Sequence, residues 1–215
     1  HGDGIPANKN EAIKYFKMAA DNGHAEAAFN YAIILNKGDV IPVNKKEALF
    51  YHKIAADNGH AEAAYHYAAM LQIGVAGQPN PEEESRYYKM AADKGFIYAM
   101  FNYACNLADG YGVQVNKKDV AYYFKMAADK GYPKAMFKYG YMLYKGDGIQ
   151  VNKKEAAFYF KLAADNGDVD SMFIYALLLN DGDGVLVNKK DAIRYCKMAA
   201  DKGYKKAKEF LSNFH

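Results

Sequence analysis

The 215-residue sequence has little of what would place it in several common classes of protein. It contains only two cysteines, Cys105 and Cys196. We interpret both as free thiols, because a disulfide needs close α carbons and the intervening sequence predicts several helix pairs. No Asn-X-Ser/Thr sequon is present, and no apolar run is long enough to span a membrane. These features favour a reducing, cytoplasmic compartment.

The sequence also lacks a large excess of charge of either sign. Its 28 Lys and Arg are nearly balanced by 25 Asp and Glu, which gives a net charge of +3. That excess is too small to indicate nucleic-acid binding by itself. The sequence also lacks His-Glu-X-X-His, Cys-X-X-Cys and Gly-Lys-Ser/Thr, so no zinc site or phosphate-binding loop is predicted. Neither a Ser-His-Asp arrangement nor a carboxylate pair is indicated. We therefore predict a protein that is not an enzyme and needs no cofactor or metal.

What the sequence does contain is a repeat of 36 residues. Ala-Ala-Asp, then Asn or Lys, then Gly recurs six times in phase, ending at Gly23 and at each equivalent glycine up to Gly203. A period of this size predicts a stack of helical units. We divide the chain into a partial repeat over 1–23, full repeats over 24–59, 60–95, 96–131, 132–167 and 168–203, and a terminal capping helix over 204–215.

Each repeat predicts two helices. In the first, helix A, Ala27, Tyr31 and Leu35 fall at i, i+4 and i+8, which is one buried stripe, and Gly38 ends the helix. The second, helix B, follows Asn44 with an acid three residues later, a capping-box pattern worth about 1 kcal/mol. We interpret the repeating tyrosines as core residues. The sequence therefore predicts an all-α fold of about six antiparallel helix pairs.

Helix B also repeats a lysine four residues before an aspartate, as in Lys17 and Asp21. This spacing predicts exposed ion pairs worth a few tenths of a kcal/mol. An aspartate near a helix C-terminus is mildly unfavourable. Because it recurs in all six copies, we expect each aspartate to bond to the N-terminus of the next helix.

The consensus resembles a known family. Helix A and its loop follow Ala-x-x-x-Tyr-Ala-x-x-Leu-x-x-Gly-x-Gly, and helix B follows Asn-x-x-x-Ala-x-x-Tyr-x-x-x-Ala-Ala-x-x-Gly. This pattern resembles the Sel-one-like repeat (SLR), a relative of the tetratricopeptide repeat, over essentially the whole chain. It departs from the family in having Tyr-Ala where Leu-Gly is usual, and it lacks the paired cysteines of the secreted branch. The resemblance implies a right-handed α-solenoid whose A helices line a concave groove, and an adaptor that assembles protein complexes.

When the repeats are aligned, each set of equivalent positions forms a column. The columns whose residues vary between copies lie on one stripe of helix A, beginning with Glu26 and Asn30. We expect this stripe to contact the ligand, although drift at an unconstrained surface would leave the same pattern. The candidate ligand-binding residues on this stripe are His66, Tyr98, Asn102, Asp109, Lys134, Lys138, Tyr141 and Lys145.

The lysines of the fourth copy predict the chemistry of the partner. In tetratricopeptide domains that grip a C-terminal carboxylate, an Asn on one A helix works with two basic residues on the next. Asn102, Lys134 and Lys138 match these positions, whereas Tyr65 and Ala69 stand where the remaining Lys and Asn would be. We predict an extended peptide or protein with an acidic group or C-terminal carboxylate, bound between the third and fourth helix pairs. A solvated lysine face is the alternative.

Two other functions remain open: an RNA-binding helical repeat, and a regulatory segment of a larger enzyme. Acidic residues such as Glu62 and Asp170 interrupt the stripe and argue against RNA. The chain starts at His1–Gly4, which corresponds to the loop between helix A and helix B in the later repeats. We therefore expect a fragment of a longer protein. We expect Ile13 and Phe16 of the first helix to be partly bare, which predicts self-association or further repeats at that end.

Overall fold

The computed structural model describes residues 8–212. Within this range the chain forms twelve α-helices and no β-strand, which confirms the predicted all-α helical-repeat class. The loop predicted over His1–Gly4 and the end of the terminal helix, residues 213–215, lie outside the described residues. The chain divides into two compact units, with the boundary between Gln114 and Val115.

Each unit contains six helices, and each helix packs on the next one along the chain within its unit. The even-numbered helices are the predicted A helices, and the odd-numbered helices are the predicted B helices. Unit 1 consists of α1 (Lys9–Asp21), α2 (Ala25–Lys37), α3 (Lys45–Asp57), α4 (Ala61–Gln72), α5 (Pro81–Asp93) and α6 (Ile97–Asp109). Unit 2 consists of α7 (Lys117–Asp129), α8 (Pro133–Lys145), α9 (Lys153–Asp165), α10 (Val169–Asp181), α11 (Lys189–Asp201) and α12 (Lys205–Ser212).

The B helices begin with the predicted capping box. The side-chain oxygen of Asn44 accepts from the Glu47 backbone N–H at 3.1 Å, and its amide donates to the Glu47 carboxylate at 2.9 Å. The helix then ends before Gly59, whose φ of +93° suits a residue without a Cβ. The start and the end of helix B are therefore both determined by residues that recur in every copy.

Histidine caps two of the A helices, which the sequence analysis did not predict. The Nδ1 atom of His24 accepts from the Ala27 N–H at 3.2 Å, and that of His60 accepts from the Ala63 N–H at 3.1 Å. Each ring nitrogen satisfies one of the backbone donors that a helix N-terminus leaves without an intrahelical partner. These histidines therefore have a structural role at the entry of helix A.

Tyrosines of the A and B helices form the core, as predicted. The stripe of Ala27, Tyr31 and Leu35 is buried, and the Tyr31 ring meets Tyr51 edge to face at 4.7 Å between centroids. Such aromatic pairs contribute about 0.5–1.5 kcal/mol beyond their buried area. The same edge-to-face contact recurs in the pairs Tyr67–Tyr87, Tyr139–Tyr159 and Tyr175–Tyr195.

The aspartate that ends helix B has a different partner from the one we expected. The Tyr51 hydroxyl donates to Asp21 at 2.6 Å, and Lys17 lies 3.2 Å from the same carboxylate. The expectation of a bond to the next helix N-terminus was wrong, because the carboxylate instead accepts a hydrogen bond from a tyrosine of the neighbouring B helix. The hydrogen bond from Tyr51, and then that from Lys17, lowers the pKa of Asp21. Equivalent bonds join Tyr87 to Asp57, Tyr159 to Asp129, and Tyr195 to Asp165.

The second glycine of the Gly-X-Gly loop permits a close backbone contact. Gly112 has a φ of +65°, and a Cβ there would lie 2.0 Å from the Pro81 carbonyl oxygen. A Cβ on Gly184 would likewise lie 2.3 Å from the Lys153 carbonyl oxygen. Steric fit between loop and helix therefore accounts for this glycine.

Candidate functional site

In unit 2, four of the predicted site residues lie on one exposed face of α8. They are Lys134, Lys138, Tyr141 and Lys145, and Tyr141 exposes 46% of its surface. Residues three, four and seven apart share a helix face, so the spacing itself brings these side chains together. The Lys145 ammonium lies 5.9 Å from the centre of the Tyr141 ring.

The lysines on this face differ from those of the B helices in their partners. Lys125 and Lys161 each form an ion pair with an aspartate at 2.6 Å. Lys134, Lys138 and Lys145 form no ion pair with any carboxylate of residues 8–212. Helix α8 therefore presents positive charge that unit 2 does not neutralise at short range.

A cavity of about 280 Å³ lies beside this face. Ile174 and Leu177 of α10 are half-buried and form one wall, and Tyr141 forms the opposite one. Phe160 and Leu178, which are buried, complete the apolar lining. The remaining lining residues, which carry polar or charged groups, are Tyr144, Lys145, Asp181 and Asp183.

The carboxylate of Asp183 is already engaged within unit 2. Lys153 lies 2.9 Å from it, and the Tyr144 hydroxyl donates to it at 2.8 Å. The hydrogen bonds from Lys153 and then Tyr144 lower the pKa of Asp183. The negative charge of Asp183 is thus offset, whereas the positive charge of Lys145 is not.

The other four predicted residues lie in unit 1, on α4 and α6. Tyr98 and Asp109 are exposed, and His66 and Asn102 are half-buried. Asn102 lies near Tyr88, whose pKa is raised chiefly by burial and whose hydroxyl donates to Gln72 at 3.2 Å. The carboxylate-clamp role that the resemblance implies for Asn102 stays a prediction.

The exposed face of the A helices is aromatic in unit 1, whereas it is basic in unit 2. The Tyr65 ring lies 4.9 Å from Phe96 and 6.1 Å from Tyr98, measured between ring centres. His66 meets Tyr65 edge to face at 5.4 Å. Tyr65, at the position where the clamp pattern requires a lysine, thus contributes to an aromatic cluster.

Sequence reasoning missed a buried histidine beneath this face. His52 of α3 is fully buried and stacks on His66 at 5.2 Å. Burial, and then the nearby His66 and His60, lowers the pKa of His52 from 6.5 to about 3. Burial also lowers the pKa of His66. The available signal was that the equivalent positions in later copies are aromatic or cysteine, namely Tyr88, Phe124, Phe160 and Cys196.

Other kinds of site are not seen in the part of the chain that the structure describes. Residues 8–212 contain no group of three or more His, Cys, Asp or Glu side chains placed to hold a metal ion. None of the described helices combines the length and the apolar character that a membrane crossing requires.

Stacked helix pairs with variable exposed faces define a helical-repeat protein. The Sel1 repeat family model matches six consecutive segments, residues 1–24, 25–60, 61–96, 97–132, 133–168 and 169–204. The chain therefore belongs to the Sel1 repeat family, which confirms the resemblance identified in the sequence. Sel1 repeats are generally non-enzymatic scaffolds for protein–protein interaction.

Two solved structures share this fold. The protective antigen c5321 of uropathogenic Escherichia coli, which has an SLR fold, superposes with a TM-score of 0.83 at 22% identity, over 91% of this chain and 42% of that one. A Sel1 repeat protein from Oxalobacter formigenes gives a TM-score of 0.78 at 26% identity, over 100% of this chain and 63% of that one. The chain thus spans less than two thirds of either structure. A search of curated protein sequences found no match.

Proposed function

We propose that this chain is an interaction scaffold that binds an acidic, extended peptide segment on the exposed faces of its A helices. Membership of the Sel1 repeat family supports the general class. The observation that carries the choice of an acidic ligand is the row of Lys134, Lys138 and Lys145, which lack ion-pair partners among the described residues.

The physical argument rests on charge. A carboxylate placed beside these ammonium groups would form charge-assisted hydrogen bonds, which are shorter and stronger than neutral ones. Three like charges on one helix face also attract an acidic ligand before contact, and salt weakens that attraction. Each such contact contributes about 1.5–3 kcal/mol when it is desolvated and much less when it remains exposed.

The candidate residues of unit 1 are proposed as further ligand contacts. Tyr98 and His66 offer rings on which apolar or planar groups of a peptide can pack. Asp109 would favour a basic residue of the ligand, and the Asn102 amide would donate a hydrogen bond to the ligand. Self-association through α1 remains a separate prediction, consistent with Tyr15 and Met18 being exposed and Ile13 and Phe16 half-buried.

The test is a selection of peptides that bind the chain. A phage-displayed library of random dodecapeptides is panned against the full chain, and the enriched peptides are synthesised with a fluorescent label. We expect enrichment of Asp and Glu, and affinity that falls as salt is added. The Lys134→Ala/Lys138→Ala variant should bind these peptides roughly ten- to a hundredfold more weakly.

The control variant is Lys118→Ala/Lys154→Ala, which removes the same charge from two exposed lysines of the B helices in unit 2. It should retain most of the affinity. Equal affinities of wild type and the α8 variant, with an unchanged salt dependence, would contradict the proposal. Tighter binding of a labelled single-stranded RNA than of any selected peptide would favour the RNA alternative instead.

A further inference from the structure

The cavity between α8 and α10 has the size and lining of a subsite for one side chain. Its volume of about 280 Å³ lies just below the range of about 300–1,000 Å³ that is typical of pockets for whole small molecules. Its floor, Phe160 and Leu178, is buried and apolar. A leucine or phenylalanine side chain entering this space would leave water and pack against the apolar groups of Phe160, Ile174 and Leu177.

The wall formed by α10 is unusual within the chain itself. Ile174 stands where the equivalent positions of other A helices hold Asn30, His66, Asn102 and Lys138. An apolar residue therefore occupies a position that is polar in α2, α4, α6 and α8, whereas α12 has Phe210 there. Leu177 stands where earlier copies have Ile33, Ala69, Cys105 and Tyr141, so this position accepts small as well as large residues. The fold accepts polar or small residues at both positions, so core packing does not require the apolar pair.

The charges around the cavity restrict its occupant. Lys145 lines the cavity, and Lys138 lies on the same face of α8 as Tyr141, so acidic groups of a ligand would lie on the α8 side. The negative charge of Asp183 is offset by Lys153 and by the hydrogen bond from Tyr144. Asp183 therefore repels an acidic ligand only weakly. Asp181 accepts from Asn180 at 2.7 Å on the α10 side.

We infer that this cavity anchors one leucine- or phenylalanine-sized side chain of a peptide that carries an acidic residue close to it in sequence. The inference rests on the proposed function and adds to it the ligand's apolar anchor. The lysines of α8 supply attraction and orientation. The apolar cavity supplies affinity and selects among acidic peptides, as central anchors do in other interfaces.

The test uses the selected peptides in two altered forms, one with its Leu or Phe changed to Ala and one with its acidic residue changed to the amide. Fluorescence anisotropy measures each against wild type and against Ile174→Asn and Leu177→Ala. Asn and Ala already occupy these columns in other copies, so both variants should fold, and circular dichroism checks this. Ile33→Ala, at the position in unit 1 equivalent to Leu177, is the matched control.

We expect Ile174→Asn to weaken binding roughly ten- to a hundredfold, as should removal of the peptide's apolar side chain. The two changes together should cost little more than either alone, because both remove one contact. Ile33→Ala should have no effect. Peptides that need their acid but bind equally well with Ala for Leu or Phe would overturn the inference and leave the proposed function standing. Binding that is indifferent to the acid would overturn both.

Discussion

The buried histidine of unit 1 should make the protein sensitive to mild acid. His52 is fully buried between α2 and α4, and its Nε2 lies 3.2 Å from the Asn36 amide nitrogen. That nitrogen can only donate, so Nε2 accepts and the proton is on Nδ1, which has no hydrogen-bond partner in the structure. A charged His52 would bring a second N–H against the Asn36 donor. The neighbouring histidines have acidic partners, Glu62 at His66 and Glu26 at His60, whereas no ion pair joins His52 to an acid among residues 8–212.

The sign and the size of the effect follow from the two pKa values. The pKa of His52 is about 3 in the folded protein and 6.5 when unperturbed, so the unfolded chain binds a proton that the folded chain excludes. Stability is therefore complete above pH 6.5 and is lost as the pH falls toward 3. One pKa unit corresponds to about 1.4 kcal/mol, so His52 should cost about 2 kcal/mol between pH 6.5 and pH 5.

The assay is urea denaturation followed by circular dichroism at pH 7.5 and pH 5, on wild type and His52→Phe. Phenylalanine occupies the equivalent position in α7 and α9, so the fold accommodates it. The variant should lose about 2 kcal/mol less than wild type on acidification. Hydrogen exchange should localise the difference to α2, α3 and α4. His24→Asn, which changes an exposed capping residue for another good cap, should behave as wild type.

A parallel loss of stability in wild type and His52→Phe would refute this reasoning. It would mean that His52 is hydrated or finds an acceptor when it is charged. If His66→Phe, but not His52→Phe, removed the acid sensitivity, the half-buried member of the stacked pair would be the group responsible.

Two further predictions concern stability. Tyr51→Phe removes the hydroxyl that donates to Asp21 and should lower the free energy of unfolding by about 1 kcal/mol. Tyr15→Phe, at an exposed site, should change it little. Equal melting temperatures for the two variants would count against the assigned bond. Gly112→Ala and Gly131→Ala both place a Cβ at positive φ, at a cost of about 1–2 kcal/mol. Gly112→Ala should cost clearly more, because its Cβ would meet a backbone carbonyl while that of Gly131 meets nothing within 4 Å; equal losses in urea denaturation would show that the loop relaxes freely.

The helices could be predicted from sequence because each is specified by residues within one repeat. The Asn44 cap and the Gly59 stop act on neighbouring backbone groups, and the Tyr31 stripe depends only on helical spacing. The bond from Tyr51 to Asp21 could not be predicted in this way, because it joins two helices of successive repeats. The constant offset of 30 residues between these columns was visible in the sequence, but nothing local indicates that the two side chains meet.

The candidate site was harder to predict because its residues are exposed and the fold does not constrain them. The sequence correctly placed Lys134, Lys138 and Tyr141 on one exposed face of α8. It missed the cavity, which depends on how far apart α8 and α10 pack.

The two units carry different chemistry on the same column of the repeat. Unit 1 presents Tyr98 and His66 beside an aromatic cluster, and unit 2 presents lysines beside an apolar cavity. The buried columns are nearly the same in both units, so this difference is not required for folding. If one extended peptide contacts both faces, substitutions in the two units should weaken its binding independently, because the two sets of contacts share no partner. The repeated core then holds the exposed residues in place, and the variable column determines which part of the ligand each unit contacts.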